Sequence, residues 1–187
     1  GKVLLVTEYG PGVDPRLHSY KPERFDFSQE YGIIYHRHYL REMMARPFIA
    51  GFTMWNLNDF YSESRIDAVP HVNNKGVTGL DRERKDTYLF YEASLGNKDV
   101  LRIGNREWKN RGGVVNTVEN TCVQSVPVFS DYPVVELYVN GKSIGSKKCE
   151  ENIAFFDVPF VNGENVVEAV ARKNGKELRD MIRIDFK

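Results

Sequence analysis

A glutamate stands where a short apolar run ends: Val3-Leu4-Leu5-Val6 leads straight into Thr7-Glu8-Tyr9-Gly10. A run this short, bounded by Gly and Pro, reads as a strand buried on both faces, as in a parallel sheet. In barrels of alternating strands and helices, chemistry collects at the carboxyl ends of the strands, so Glu8 reads as catalytic. The competing reading is a carboxylate salt-bridged at a strand end. A second cluster, Trp55-Asn56-Leu57-Asn58-Asp59-Phe60, closes another apolar run. Trp55 there can offer a flat apolar face to a sugar ring, and Asp59 can hydrogen-bond to hydroxyls; the alternative is a core Trp with a loop-capping Asp. A third, His71-Val72-Asn73-Asn74-Lys75-Gly76, places Lys75 to pair with an anionic substrate group, although by itself it also reads as a solvated loop. Leu17-His18-Ser19 adds His18, weak alone because a single histidine is more often structural than catalytic.

These clusters need elements to hold them. After the Glu8 strand comes a loop with Pro11, Gly12, Pro15 and Pro22, then a helix over residues 28–45 with Asp26 or Ser28 as N-cap. Ile33, Ile34, Tyr35, Leu40, Met43 and Met44 fall broadly on one side of it, Gly32 weakens it slightly, and Pro47 ends it. A second buried strand spans 48–55, a long polar loop runs to about residue 78, and a shorter helix covers 85–94. Strand, helix, strand, helix is the mark of a parallel α/β architecture.

From Gly96 the composition shifts to Val-rich, short alternating runs. Residues 134–139, then Asn140-Gly141, then 142–145 read as a hairpin with a type I′ turn, which needs positive φ at both central positions. Further strands are expected at 114–118, 121–128, 152–158, 165–172 and 177–186, with Asn174-Gly175 as another tight turn. This spacing predicts a small antiparallel sandwich of immunoglobulin type. The expected division is 1–95, a linker at 96–112, and 113–187.

The chain has 187 residues, with 26 Lys plus Arg balanced by 26 Asp plus Glu. A neutral chain lacks the basic excess of a nucleic-acid or membrane-surface binder, so neither partner is expected. No apolar stretch approaches the roughly 20 residues of a membrane span. The two cysteines, Cys122 and Cys149, match no zinc or thioredoxin spacing. They leave two alternatives, a disulfide or free thiols, of which free thiols are favoured. Neither a metal nor a cofactor is expected, and localisation is open, with a periplasmic or secreted parent among the options.

The motifs together resemble glycoside hydrolase family two, which contains β-galactosidases, β-glucuronidases and β-mannosidases. Thr7-Glu8-Tyr9-Gly10 is similar to the family's nucleophile motif at the end of barrel strand seven, and residues 51–60 to strand eight. Asn74-Lys75-Gly76 through Asp86 resembles the segment leading into the last barrel helix, and Val135 through Gly145 the accessory sandwich that follows it. The resemblance implies an α/β plus all-β fold: the C-terminal quarter of a (β/α)8 barrel and an immunoglobulin-like sandwich. It implies Glu8 as nucleophile of a retaining exo-β-glycosidase and Trp55, Asp59, Asn73, Lys75 and His18 as substrate contacts. Asn73 and Lys75 match the Asn-x-Lys pattern with which family β-glucuronidases grip a carboxylate, tilting the reading towards a glucuronide over a galactoside.

The family's acid/base glutamate follows an asparagine near barrel strand four, and no such segment precedes Glu8. The chain is therefore expected to be a C-terminal fragment, inactive alone, in which the inward faces of residues 3–6 and 48–54 lie open to water because two strands cannot close a barrel, and whose first half orders through self-association, non-native packing or the rest of the parent barrel. Two other classes compete. A carbohydrate-binding or scaffolding module is disfavoured because the sandwich half lacks a clustered Trp or Tyr platform, and a lyase or isomerase because no metal cluster or phosphate-gripping loop accompanies Glu8.

Overall fold

A computed structural model describes residues 2–96 and 99–187; the chain divides into two compact units, Gly1–Tyr88 and Leu89–Lys187. Gly1, at the start of the expected first domain, and Asn97 and Lys98, in the expected linker, lie outside the described residues. The chain is mostly strands with two helices among the described residues.

In the first unit β1 (Leu4–Val6) and β2 (Ile49–Phe52) run parallel, joined by α1 (Gln29–Met44). Ser28 caps α1, its hydroxyl accepting from Tyr31 N at 3.0 Å, while Asp26 accepts from Ser28 N one step earlier. One side of α1 buries Ile33, His36, Leu40 and Met43, whereas Ile34 and Met44, expected on that side, are exposed because each lies next to a buried residue and about 100° around the helix from it. Gly32 is there for packing: a Cβ would meet Val13 Cγ2 at 2.7 Å, so the missing side chain lets the loop after β1 lie on the helix. Tyr9, just past Glu8, is buried with its ring 5.9 Å from His36, 6.1 Å from Tyr39 and 6.1 Å from Phe52. It thereby pins the end of β1 to both α1 and β2.

The apolar runs of β1 and β2 are not buried on both faces, and, as expected of this chain by itself, part of them lies open to water. Val3 and Leu5 are 71% and 65% exposed. Among the described residues β1 has β2 as its single strand neighbour, and two strands cannot close a barrel, so the face that α1 does not cover stays open. The long polar loop also carries structure, a short antiparallel pair β3 (Phe60–Tyr61) and β4 (Val72–Asn73). α2 (Asp86–Leu95) follows.

In the second unit two sheets close on one apolar core. One has the order β10-β7-β5 and the other β6-β12-β11-β8-β9, where β5 is Leu101–Ile103, β6 Asn110–Arg111, β7 Cys122–Ser130, β8 Val134–Val139, β9 Lys142–Lys148, β10 Ile153–Phe160, β11 Gly163–Lys173 and β12 Lys176–Phe186. Alternate residues of both sheets, among them Val126, Val128, Leu137, Phe156, Val167 and Ile184, fill the space between them. The β8–β9 hairpin turns at Asn140 (φ 51°) and Gly141 (φ 78°), and β11–β12 at Asn174 (φ 50°) and Gly175 (φ 78°), the positive φ pair of a type I′ turn. Lys142, Lys147 and Lys148 line the exposed edge strand β9, where charge opposes edge-to-edge pairing.

Two further expectations change. Residues 96–112 are not a free linker, because β5 pairs antiparallel with β7 and β6 lies parallel beside β12. Residues 114–118 form no strand: Val114 and Val118 are both 92% exposed, and a turn closed by the Asn116–Thr121 bridge occupies the segment. Valine favours a strand only where a neighbouring face covers it. Cys122 and Cys149 are both free thiols.

Candidate active site

The parallel ladder carries on past the ends of β1 and β2 and brings the first two clusters together. Thr53 N donates to Val6 O at 2.9 Å and Trp55 N to Tyr9 O at 2.8 Å, so Trp55 stands beside Glu8. The third cluster is laced to the second through Asn56 N to Lys75 O (3.0 Å), Val77 N to Asn56 O (3.0 Å) and Thr78 N to Leu57 O (2.9 Å). A cleft of about 420 Å³ results, lined by Glu8, Trp55, Phe60, Ser62, Ser64, Arg65, Asn73 and Lys75. Four of the six expected site residues thus share one cavity.

Glu8 is exposed, and its carboxylate has no hydrogen-bond or ion-pair partner among the described residues. Trp55 is 38% exposed and stands edge-to-face on Phe60 at 6.3 Å, which leaves ring surface open to the cleft. Asn73 is buried, and its side-chain oxygen accepts from Lys75 N at 3.2 Å, a local turn that sets the direction of the following lysine. The Lys75 side chain is half-buried and its ammonium has no ion-pair partner among the described residues. The cavity therefore offers an open carboxylate, an apolar ring and an uncommitted cation, which suits a sugar bearing a negative charge.

Asp59 and His18 do not join them. Asp59 faces inward: Oδ1 accepts from Gly76 N (2.8 Å) and from Lys85 Nζ (2.8 Å). Lys85 is fully buried, and its ammonium also donates to Val13 O (2.7 Å) and Asn74 O (3.2 Å). One ammonium thus ties the loop after Glu8, the end of the Trp55 segment and the turn that presents Asn73 and Lys75. Burial pulls Lys85 below and pushes Asp59 above its ordinary pKa, and their attraction offsets this only in part. Gly76 closes the joint, because a Cβ there would lie 2.2 Å from Asp59 N. The role expected for Asp59, contact with substrate, is replaced by holding the scaffold. His18 is likewise a loop anchor: its Nδ1 pairs with Glu30 Oε1 at 2.8 Å, and Ser19 N donates to Glu30 Oε2 at 3.0 Å, at the first turn of α1.

Phe60, Ser62, Ser64 and Arg65 are cleft residues beyond the expected set. Their signal in the sequence is faint, a polar run between Phe60 and His71 without periodicity. No three His, Cys, Asp or Glu side chains among the described residues come together as a metal site.

A family model described as a domain of unknown function, DUF4982, matches residues 123–179. The chain is 26% identical to a β-glucuronidase of Bacteroides fragilis over 97% of its own length and 26% of that protein's. It is 28% identical to a β-galactosidase of Bacteroides ovatus over 75% of its length and 16% of that protein's. Its fold superposes on Bacteroides uniformis β-glucuronidase 2, covalently bound to cyclophellitol-6-carboxylate aziridine, with TM-score 0.93 and 40% identity over 98% of this chain and 22% of that one. The chain spans about a quarter or less of the length of these relatives. The chain is thus similar along nearly its whole length to β-glucuronidases and, over three quarters of it, to a β-galactosidase, in agreement with the resemblance of its motifs to glycoside hydrolase family two.

Proposed function

We propose that this chain is the part of a retaining exo-β-glucuronidase that carries the nucleophile: the last quarter of a (β/α)8 barrel, with β1 and β2 as its final strands, followed by an immunoglobulin-like sandwich. The observation that carries the reading is the shared cleft of Glu8, Trp55, Asn73 and Lys75. In a double displacement the Glu8 carboxylate attacks the anomeric carbon and forms a glycosyl ester, while a second carboxylic acid protonates the departing oxygen. That second group, now a carboxylate, takes a proton from water, which displaces Glu8 and restores the original configuration. Trp55 faces the sugar ring, and Lys75, aimed by Asn73, holds the glycone's carboxylate.

Glu8 is the one carboxylate lining the cleft among the described residues. The acid/base is therefore supplied by the rest of the barrel, and the isolated chain is inactive. The glucuronide reading rests on the uncommitted Lys75 ammonium and on the glucuronidases among the relatives.

Lys75 provides the test. A charge-assisted hydrogen bond is worth about 1.5–3 kcal/mol, so Lys75→Ala in a full-length protein is expected to lower kcat/KM for an aryl β-glucuronide by about one to two decades. The ratio of that constant to the one for an aryl β-galactoside should fall almost as far. A ratio unchanged by the substitution, or a wild-type protein that prefers the galactoside, would make Lys75 structural.

A further inference from the structure

We propose that Arg65 is a second anion-gripping residue of the cleft, which with Lys75 clamps the substrate carboxylate and sets the specificity for charged over uncharged glycones. This rests on the glucuronidase reading above. Among the residues lining the cleft, Lys75 and Arg65 are cations and Glu8 is the single carboxylate. A neutral hexose would gain little from a second cation, whereas a uronate has two oxygens to fill.

The backbone gives Arg65 a fixed root. β3 pairs with β4 so that Phe60 lies opposite Asn73, and the loop between them is closed at its neck. Ser62 N donates to His71 O at 2.9 Å, His71 N to Arg65 O at 2.8 Å, and Arg65 N to Ser62 O at 3.0 Å. The His71 ring adds a bond from Nδ1 to Glu63 O at 2.8 Å. Arg65 and Asn73 therefore stem from one braced loop, and Lys75 follows two residues later.

The guanidinium is also uncommitted. Its ion-pair partner among the described residues is Asp67, with Nη1 to Oδ2 at 3.7 Å, beyond hydrogen-bond distance and with both side chains more than a third exposed. A pair of that kind contributes little to stability, so it leaves Arg65 without a strong structural task. A planar fork can engage both oxygens of a carboxylate, which the Lys75 ammonium alone cannot do in a fixed geometry.

The test uses a full-length protein with an aryl β-glucuronide and its methyl ester, which keeps the ring and removes the charge. Arg65→Gln is expected to lower the ratio of kcat/KM for acid over ester by about ten- to a hundredfold, mainly through KM. Arg65→Lys should recover part of it by restoring charge without the fork. Combined with Lys75→Ala, the loss should be smaller than the product of the two single losses, because both side chains hold one group. An Arg65→Gln protein whose acid-to-ester ratio stays within about twofold of wild type overturns the proposal, whether or not overall activity falls. A wild-type protein indifferent to acid and ester overturns the glucuronide reading itself, and the two failures are thereby told apart.

Discussion

Replacing Glu8 by glutamine in a full-length protein is expected to cut turnover of an aryl β-glucuronide by at least about a thousandfold, roughly 4 kcal/mol of barrier, with the fold unchanged. The amide is nearly isosteric with the carboxylate but cannot attack the anomeric carbon or leave from it. Glu8 is exposed and unpartnered among the described residues, so the substitution breaks no contact within this chain. The measurement is kcat on an activated aryl glycoside, with circular dichroism and melting as controls. Glu8→Ala, unlike the isosteric amide, should regain part of its turnover with added azide and give the inverted glycosyl azide. Substantial activity in an uncontaminated Glu8→Gln preparation would remove Glu8 from the nucleophile's place.

The second large effect concerns stability. Removing the Lys85 ammonium leaves the Asp59 carboxylate buried without its ion partner, which typically costs about 3–5 kcal/mol. Lys85→Met in a full-length protein is therefore expected to lower its unfolding free energy by that order, read as the shift in urea midpoint multiplied by the slope of the transition. Asp59→Leu combined with Lys85→Met should cost clearly less than the two single losses added together, since no orphaned charge remains. The surviving active fraction of Lys85→Met should show a raised KM for the glucuronide, because Lys85 also holds the Asn74 carbonyl between Asn73 and Lys75. Purely additive losses would mean that the ammonium and the carboxylate do not act as a pair.

The contrast between these residues shows what local sequence can carry. That Glu8 and Trp55 come together was legible because each follows the end of an apolar run, and the parallel pairing of β1 with β2 brings such ends to one side, whereas Asn73 and Lys75, which line the same cleft, were marked by resemblance to an Asn-x-Lys pattern. The inward pairing of Asp59 was hidden because its partner lies 26 residues downstream, in a charged run that reads as solvated surface. Nothing local distinguishes Lys85, fully buried, from the exposed Arg84 beside it. Arg65 escaped notice for a related reason: its place depends on backbone bonds from residues 62 and 71 that leave no periodic pattern.

The same division runs through the fold. The Asn140-Gly141 and Asn174-Gly175 hairpins are set by chemistry within four residues, and both formed as expected. β5 and β6 are three and two residues long, and their partners β7 and β12 lie far along the chain, so the stretch holding them reads as a linker. The exposure of Val3 and Leu5, by contrast, was legible, since two short strands cannot close a barrel over their own faces.

In a double displacement the nucleophile is the residue to which the sugar is transferred. An activated 2-deoxy-2-fluoro-β-glucuronide slows hydrolysis of the glycosyl ester and lets it accumulate on a full-length protein, where intact mass and peptide mapping locate it. One added glycosyl mass is predicted, on the peptide that contains Glu8 and absent from Glu8→Gln. The same mass on any other carboxylate, in a protein that still turns over, would contradict the assignment.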